Sequence, residues 1–429
     1  MKDNDLILSI AYELNCLPLC KQITNIAGNL LSRTLLGGRS ERNEYLLLHA
    51  FNQRGYIVPD KADRTTSKSE NKQQQIVKQE ETKQTTETDD KWADNKKSSY
   101  TGGLVLEPKI GFYDRFILLM DFNSLYPSII QEYNICFTTI RRLSKNDDNL
   151  IDLESSIEKD VEGVLPVEIR KLVESRRDVK RQLIDPAISN DQRSQLDIKQ
   201  KALKITANSM YGCLGYGRSR FYAKHLASMV TLKGREILLH TKEMVEKMGF
   251  EVIYGDTDSI MILTSCTKYE EVREIGRKIQ AEVNKLYRRL EIDIDGVFRS
   301  MLLLKKKKYA ALTVIPPRSS NQSELQYERE IKGLDIIRRD WSSLAKMAGE
   351  AVLDHILKPD QNSELIADQI HQYIKQLAEQ IRSGQLELEL FVINKALAKR
   401  PEEYGEQGKN LTHVMVALRY NQLNLGKSN

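Results

Sequence analysis

The sequence predicts an α+β fold, and three observations carry that expectation. Short apolar runs of strand character, Phe116–Met120, Val252–Ile253 and Ile260–Leu263, are separated by long stretches of helical periodicity. Their order is mixed (strand, helix pair, strand, helix), which suits an α+β core carrying helical attachments. With 429 residues the chain also exceeds one compact core, so two or three subdomains are expected.

Taken in order, residues 1–60 mix helical periodicity, Leu6 to Leu17 and then Ile23 to Leu36, with a basic turn from Gly37 to Arg42. From Lys61 to Ser99 the composition turns to Gln, Thr, Lys, Glu and Asp, with Ile76, Val77 and Trp92 nearly alone as large apolar side chains. Such a segment buries too little surface to offset its ordering entropy, and a disordered insertion is expected. Order is expected again at Tyr100–Val105, ahead of the run that ends in Asp121. A basic helix is predicted from Leu165 to about Arg181, a break at Asp185-Pro186, and a second helix from about Asp191 to Tyr211. Strands are predicted at Val252–Leu263 and Ser300–Leu312, then helices at Trp341–Leu357 and Leu365–Ile381.

Bulk composition narrows the function classes. No apolar run approaches a membrane span, and the first residues lack a basic-then-apolar signal pattern. Five cysteines are few and odd in number, as suits a reducing compartment, and Cys16 and Cys20 have no second pair at zinc spacing. A net charge of +5 is small beside 65 basic and 60 acidic residues, so local clustering is the better guide to a polyanion partner.

The chemistry centres on Asp121 and on the turn Tyr254–Ser259, which contains Gly255, Asp256 and Asp258. Gly-Asp is good turn chemistry, because glycine tolerates positive φ. Two buried strands, each ending in an aspartate, form what a paired divalent-metal site needs. Carboxylates about 4 Å apart repel by roughly 4 kcal/mol at an effective dielectric near 20, a cost that a hard cation removes. Magnesium fits best, since it takes one or two carboxylates and completes its shell with water and phosphate oxygens. A triphosphate would also need protein cations. Arg176 and Lys180 share a face of the first basic helix, and Lys204 and Asn208 share one of the second, with Tyr211 adjoining. Lys305, Lys306, Lys307 and Lys308, followed by Tyr309, form the densest basic run. Read as a strand presenting alternate lysines, it would track a phosphate backbone, with Arg338 and Arg339 as a second contact.

These residues resemble the motifs of the family B DNA polymerases. Asp121–Ser128 resembles motif A, Lys204–Gly212 motif B and Tyr254–Ser259 motif C. Lys305–Tyr309 resembles the family's primer-template contact and Tyr100–Gly103 its template-binding loop, so five motifs stand in the family's order across about residues 20–420. The resemblance implies a right-hand architecture with a β-sheet palm, helical-hairpin fingers and a partial, mostly helical thumb. Its boundaries would be 1–60 for the end of an exonuclease-like region and lead-in to the palm, and 61–99 for the insertion. The palm with motif A would span 100–162, the fingers 163–221, the palm with motif C and the lysine run 222–331, and the thumb 332–429.

The resemblance also implies roles. Asp121 and Asp258, with Phe122, would hold two Mg²⁺ ions, and Asp256 would be an accessory catalytic carboxylate. Ser124, Leu125, Tyr126, Arg176, Lys180, Lys204, Asn208, Tyr211 and Thr257 would bind the incoming deoxynucleoside triphosphate, Tyr126 lying under the sugar to exclude a 2′-hydroxyl. Tyr100, Gly102, Gly103, Lys305–Lys308, Tyr309, Arg338 and Arg339 would contact DNA. A DNA template with an RNA or DNA primer is the implied partner, as are primase and an accessory subunit through regions outside this stretch, in the nucleus. No set of exonuclease carboxylates is found in the sequence, so proofreading is not expected, and a cysteine-rich C-terminal module of the kind that docks an accessory subunit is not found either. Two other readings are a different replicative or repair member of the family and a non-catalytic fragment that binds primer-template or a partner subunit.

Overall fold

The structure is a computed structural model that describes residues 2–60, 101–140, 157–158, 160–316, 325–338, 340–359, 363–408 and 410–424. The polar insertion expected at 61–99 lies outside the described residues, as do Tyr100 and Arg339. The chain divides into two compact units. One comprises Met1–Leu106, Leu119–Ile262 and Arg273–Asp295, the other Glu107–Leu118, Leu263–Val272 and Gly296–Asn429. The strands among the described residues are β1 (Gly111–Tyr113), β2 (Ile117–Phe122), β3 (Glu251–Asp256), β4 (Ser259–Leu263), β5 (Ile292–Lys305), β6 (Lys308–Ile315) and β7 (Gln326–Lys332). Helices and antiparallel strands occur together, as an α+β fold requires.

In the first unit β3, β4 and the end of β2 lie side by side in that order. Leu119, Met120, Phe122, Ile260, Met261 and Ile262 are all buried, so these strands are covered on both faces and read as continuous apolar runs. Four helices precede them: α1 (Lys2–Glu13), α2 (Cys16–Ala27), α3 (Leu31–Leu36) and α4 (Arg39–Asn52). After β2 comes α5 (Leu125–Glu132), then a hairpin of α6 (Val164–Ile184) and α7 (Asn190–Gly215), which pack along each other. The hairpin turns where predicted. Asp185 ends α6 in an extended conformation, as residues before proline prefer, and its carboxylate accepts from the Ala187 N–H at 2.9 Å. A capping box then starts α7: Gln192 N–H donates to Ser189 Oγ, and the Gln192 side chain accepts from Ser189 N–H, both at 3.2 Å.

The helix α8 (Lys224–Lys247) has no counterpart in the sequence reading. Its apolar face is Leu226, Met229, Val230, Ile237, Leu238 and Val245, but Lys233-Gly234-Arg235 interrupts the pattern at mid-helix. Most of α9 (Tyr269–Asn284) completes the unit.

In the second unit β5, β6 and β7 form an antiparallel meander, and β1 pairs with β5. The apolar segment Ser300–Leu312, predicted as one strand, is a hairpin with Lys306 and Lys307 at its tip and Lys305 facing Lys308. The turn is possible because Lys307 adopts φ +61°. Gly333, at φ +65°, packs on that tip so closely that a Cβ would stand 1.9 Å from the Lys307 carbonyl oxygen, which only glycine allows. The helices are α10 (Ser343–Leu357), α11 (Ser363–Arg382), the single turn α12 (Gly405–Gly408) and α13 (Thr412–Asn424). Leu353 and Leu357 of α10 pack with Ala310, Leu334, Leu302 and Ile331, and Ser300 Oγ donates to the Leu357 carbonyl at 2.6 Å.

Candidate active site

Asp121 and Asp258 leave neighbouring strands beside a shared backbone link. The N–H of Phe122 donates to the Asp258 carbonyl at 2.8 Å, and Asp121 immediately precedes Phe122. Phe122 is buried, whereas both aspartates are half-exposed at the strand ends. The structure thus brings the two predicted ligands together. Among the described residues no group of three or more His, Cys, Asp or Glu side chains gathers as a metal site.

The turn differs from the sequence reading in one respect. Gly255 does not supply the positive φ; Thr257 does, at +62°. Glycine is needed at 255 for space instead, since a Cβ there would lie 2.8 Å from Leu106 Cδ1 and 3.1 Å from the Ser259 carbonyl. The close strand-like neighbour is Leu104–Leu106: Leu106 N–H donates to the Gly255 carbonyl at 2.9 Å, and Thr257 N–H to the Leu104 carbonyl at 2.8 Å. Asp256 is held by its own turn. Its carboxylate accepts from Thr257 Oγ1 at 3.1 Å and from the Tyr254 hydroxyl at 3.4 Å.

That pairing carries Gly102 and Gly103 to the same place. A Cβ on Gly103 would stand 2.9 Å from both Thr257 Oγ1 and the Tyr126 hydroxyl, whereas Gly102 faces open space. The Tyr126 ring lies 4.5 Å from that of Tyr211, tilted by 38°. Ser124 begins α5 in the left-handed region at φ +51°, so Leu125 and Tyr126 occupy the first turn of a helix, whose N–H groups have no intrahelical partner.

Behind Ser124 lies a cavity of about 250 Å³ lined by Asn123, Ser124, Gln131, Arg176, Lys180 and Lys204 among others. Seven of its lining side chains are basic and two, Glu174 and Glu291, are acidic. Arg170 pairs with Glu162 at 2.8 Å and Arg177 with Glu291 at 3.1 Å. Around Lys180 the cations oppose one another. Lys180 is held below its ordinary value, first by the charge of Arg176, then by burial and by Lys204, with Asp293 opposing. Burial pushes Arg176 down as well. Like charges held this close raise one another's cost, a repulsion that a bound anion would relieve. Asn208, exposed one turn beyond Lys204, is not in the cavity wall. Sequence reasoning missed Arg170, Arg177, Arg288 and Arg289. Arg170 and Arg177 recur at i, i+7 on the same helix face, a usable signal, but nothing local marks Arg288-Arg289.

In the second unit the lysine run is a hairpin tip, not an alternating strand, because its register turns at Lys306-Lys307. Lys305, Lys306 and Lys307 are exposed, Lys306 pairing with Glu107; Lys308 is half-buried, with Nζ 3.2 Å from Asp335. Tyr309, expected as a DNA contact, is instead buried in the sheet. Its hydroxyl donates to Glu330 at 3.2 Å, Lys332 lies 5.6 Å above its ring, and burial pushes it up to about 12. Arg338 is engaged by Asp335 at 3.5 Å and by Asp340 at 3.4 Å.

The family model for DNA polymerase family B matches residues 29–428, and the chain belongs to that family. It is 55% identical over 423 residues to the DNA polymerase alpha catalytic subunit of Xenopus laevis, across 97% of this chain and 28% of that protein. Against the DNA polymerase alpha catalytic subunit of Drosophila melanogaster the identity is 51%, across 98% of this chain and 27% of the relative. The chain therefore spans little more than a quarter of the length of these curated relatives. The solved family B DNA polymerase of Pyrobaculum calidifontis aligns with a TM-score of 0.63 at 28% identity, over 93% of this chain and 45% of that one. No helix of the described residues is long and apolar enough to cross a membrane.

Proposed function

We propose that this chain is the catalytic core of a DNA polymerase of the alpha type, extending a primer 3′ end with deoxynucleotides on a DNA template and releasing pyrophosphate. The observation that carries the reading is the cationic cavity behind Ser124, whose Arg176, Lys180 and Lys204 face the start of the helix that follows Asp121. The donor set beside it fits magnesium: the Asp121 and Asp258 carboxylates and the Phe122 carbonyl offer oxygen alone, with no thiolate or imidazole. When bound, two ions supply activation of the attacking hydroxyl and neutralisation of the leaving pyrophosphate.

The chain's own residues bind and orient. Arg176, Lys180 and Lys204 neutralise the triphosphate and Asn208 lines the nucleotide one turn further on, while the Ser124 and Leu125 N–H groups fix the phosphates at a helix start. Tyr126 supports the sugar and bars a 2′-hydroxyl, with Thr257 beside it, and Tyr211 packs against the new base pair. Asp256 orders its turn through Thr257 and Tyr254 and acts as an accessory carboxylate. Gly102, which faces open space, lets the template strand approach, Gly103 leaves room beside it for Tyr126 and Thr257, and Lys305, Lys306 and Lys307 contact phosphates from the hairpin tip. Lys308 and Tyr309 support that tip from within the sheet, and Arg338 adds a contact beyond it. Such a site works by positioning and charge stabilisation, as phosphoryl transfer generally does.

In this reading residues 100–162 and 222–331 form the palm, 163–221 the fingers and 332–429 the thumb. The setting is nuclear replication, with primase and an accessory subunit docking through regions outside this stretch. A gel assay of primer extension by the purified chain, with and without magnesium, tests it. Magnesium-dependent extension supports the reading; primer-template binding without extension would leave only a non-catalytic fragment.

A further inference from the structure

Gly234 sits buried at the centre of α8, where glycine costs about 0.5–1 kcal/mol relative to alanine. A glycine in that position calls for a packing reason. A Cβ added to Gly234 would stand 3.3 Å from Cε1 of Tyr126, against 3.5 Å from Ile129 and 3.7 Å from Leu125. The last two are ordinary contacts, while the first is too tight, so the Tyr126 ring would have to yield by a few tenths of an ångström. Its other directions are already limited. Tyr211 of α7 stands 4.5 Å away, and the hydroxyl end abuts the backbone at Gly103, where a Cβ would lie 2.9 Å from it. The Gly103 segment is itself tied to α8, since Thr231 Oγ1 donates to the Thr101 carbonyl at 3.0 Å.

We propose that Gly234 is a positioning residue for sugar selection, setting through the bare backbone of α8 how far the Tyr126 ring stands into the nucleotide site. This rests on the reading that Tyr126 lies under the sugar of the incoming nucleotide. A methyl at 234 moves the ring away from α8 and toward that sugar, so binding of the nucleotide suffers and chemistry much less. Since a 1 Å misplacement costs on the order of a hundredfold, a displacement of a few tenths is worth about three- to fivefold.

The test is a cycle of Gly234→Ala, Tyr126→Ala and the double variant in single-nucleotide primer extension with magnesium, using a deoxynucleotide and its ribonucleotide. Gly234→Ala is expected to raise KM for the deoxynucleotide about threefold or more, to change kcat less, and to shift the ribonucleotide-to-deoxynucleotide preference. In the Tyr126→Ala background the same substitution should do neither, because the ring it acts through is gone. Tyr126→Phe, which keeps Cε1, should retain the effect. An equal effect in the Tyr126→Ala background, or none in the native one, overturns the proposal. If Tyr126→Ala itself leaves ribonucleotide discrimination unmoved, the sugar-gate reading falls and takes the proposal with it. Alanine favours the helix, and an unchanged thermal unfolding profile confirms that the comparison is between folded proteins.

Discussion

Replacing Lys180 by glutamine removes one of the seven basic side chains that line the cavity, and the one set against Arg176 and Lys204, while keeping much of the side chain's length. Two effects of opposite sign follow. In the free protein Lys180 is held down chiefly by Arg176, so its removal relieves repulsion. Lys180 is largely exposed and screened, which limits that gain to about 0.5 kcal/mol. The pH dependence has a definite sign. A lysine whose folded value lies below its unfolded one penalises the fold fully at neutral pH. The penalty is relieved as pH rises through the lowered value toward 10.5, so the native protein gains on the variant only in alkali. In the nucleotide complex the loss dominates. A hydrogen bond to a charged group is worth about 1.5–3 kcal/mol, and exposure places Lys180 at the low end, or about tenfold in KM. The assay is single-nucleotide incorporation across a range of deoxynucleotide concentrations at two ionic strengths, beside a thermal melt. KM should rise about tenfold, by less at high salt, with no fall in melting temperature. An unchanged KM, or a KM rise matched by a lower melting temperature, refutes the reasoning.

Three further outcomes are expected. Asp258→Asn should abolish primer extension while primer-template affinity, read by fluorescence anisotropy, stays within about threefold, because only the metal-binding charge is removed; normal turnover would reject the ligand assignment. Gly255→Ala forces a methyl against Leu106 and the Ser259 carbonyl, so stability should fall by about 1–3 kcal/mol in denaturant titrations and extension should fall with it. Replacing Lys306 and Lys307 by glutamine should weaken binding to all primer-template sequences alike and flatten its salt dependence by about 0.9 for each phosphate that these lysines neutralise, measured from affinity against salt concentration.

The sequence reading succeeded where a pattern is local and failed where packing decides. The apolar run into Asp121 and the apolar residues flanking the turn of Asp258 announce themselves, and so does the α6–α7 hairpin, with a proline break between two periodic stretches. The lysine run misled because Leu302–Leu312 is apolar on both sides of the turn, and four lysines carry no turn residue to mark it. The fold instead places Lys307 at positive φ, a conformation that no residue type signals there. Tyr309 looked like a surface contact because tyrosine serves both roles, and only the register of β6 against β7 turns it toward Glu330 and Lys332. Helix α8 was obscured by Lys233-Gly234-Arg235. Its glycine answers to Tyr126, far earlier in the chain, and no window of sequence contains both.

The two strand ends share one further property that bears on what the site is for. Ser124, after β2, and Thr257, after β3, are both non-glycine residues at positive φ, at +51° and +62°. Each costs roughly 1–2 kcal/mol against an ordinary backbone, and glycine at either place would remove the cost. Both are held by bonds that leave little alternative. Thr257 donates to the Leu104 carbonyl while Asp258 N–H reaches back to Asp256 at 2.7 Å; Ser128 N–H and Oγ bind the carbonyls of Ser124 and Asn123 at 3.0 and 3.1 Å. Strain of this kind persists where surrounding structure over-determines it, and such places cluster at functional sites. At 257 the side chain accounts for the strain, since the threonine hydroxyl holds Asp256 and a glycine would release it. At 124 the strained residue both starts α5 and lines the cation-rich cavity. The backbone is therefore bent at the two points where the proposed mechanism needs a carboxylate turn and an anion-binding helix start, and each bend is made by a residue that strains where glycine would not.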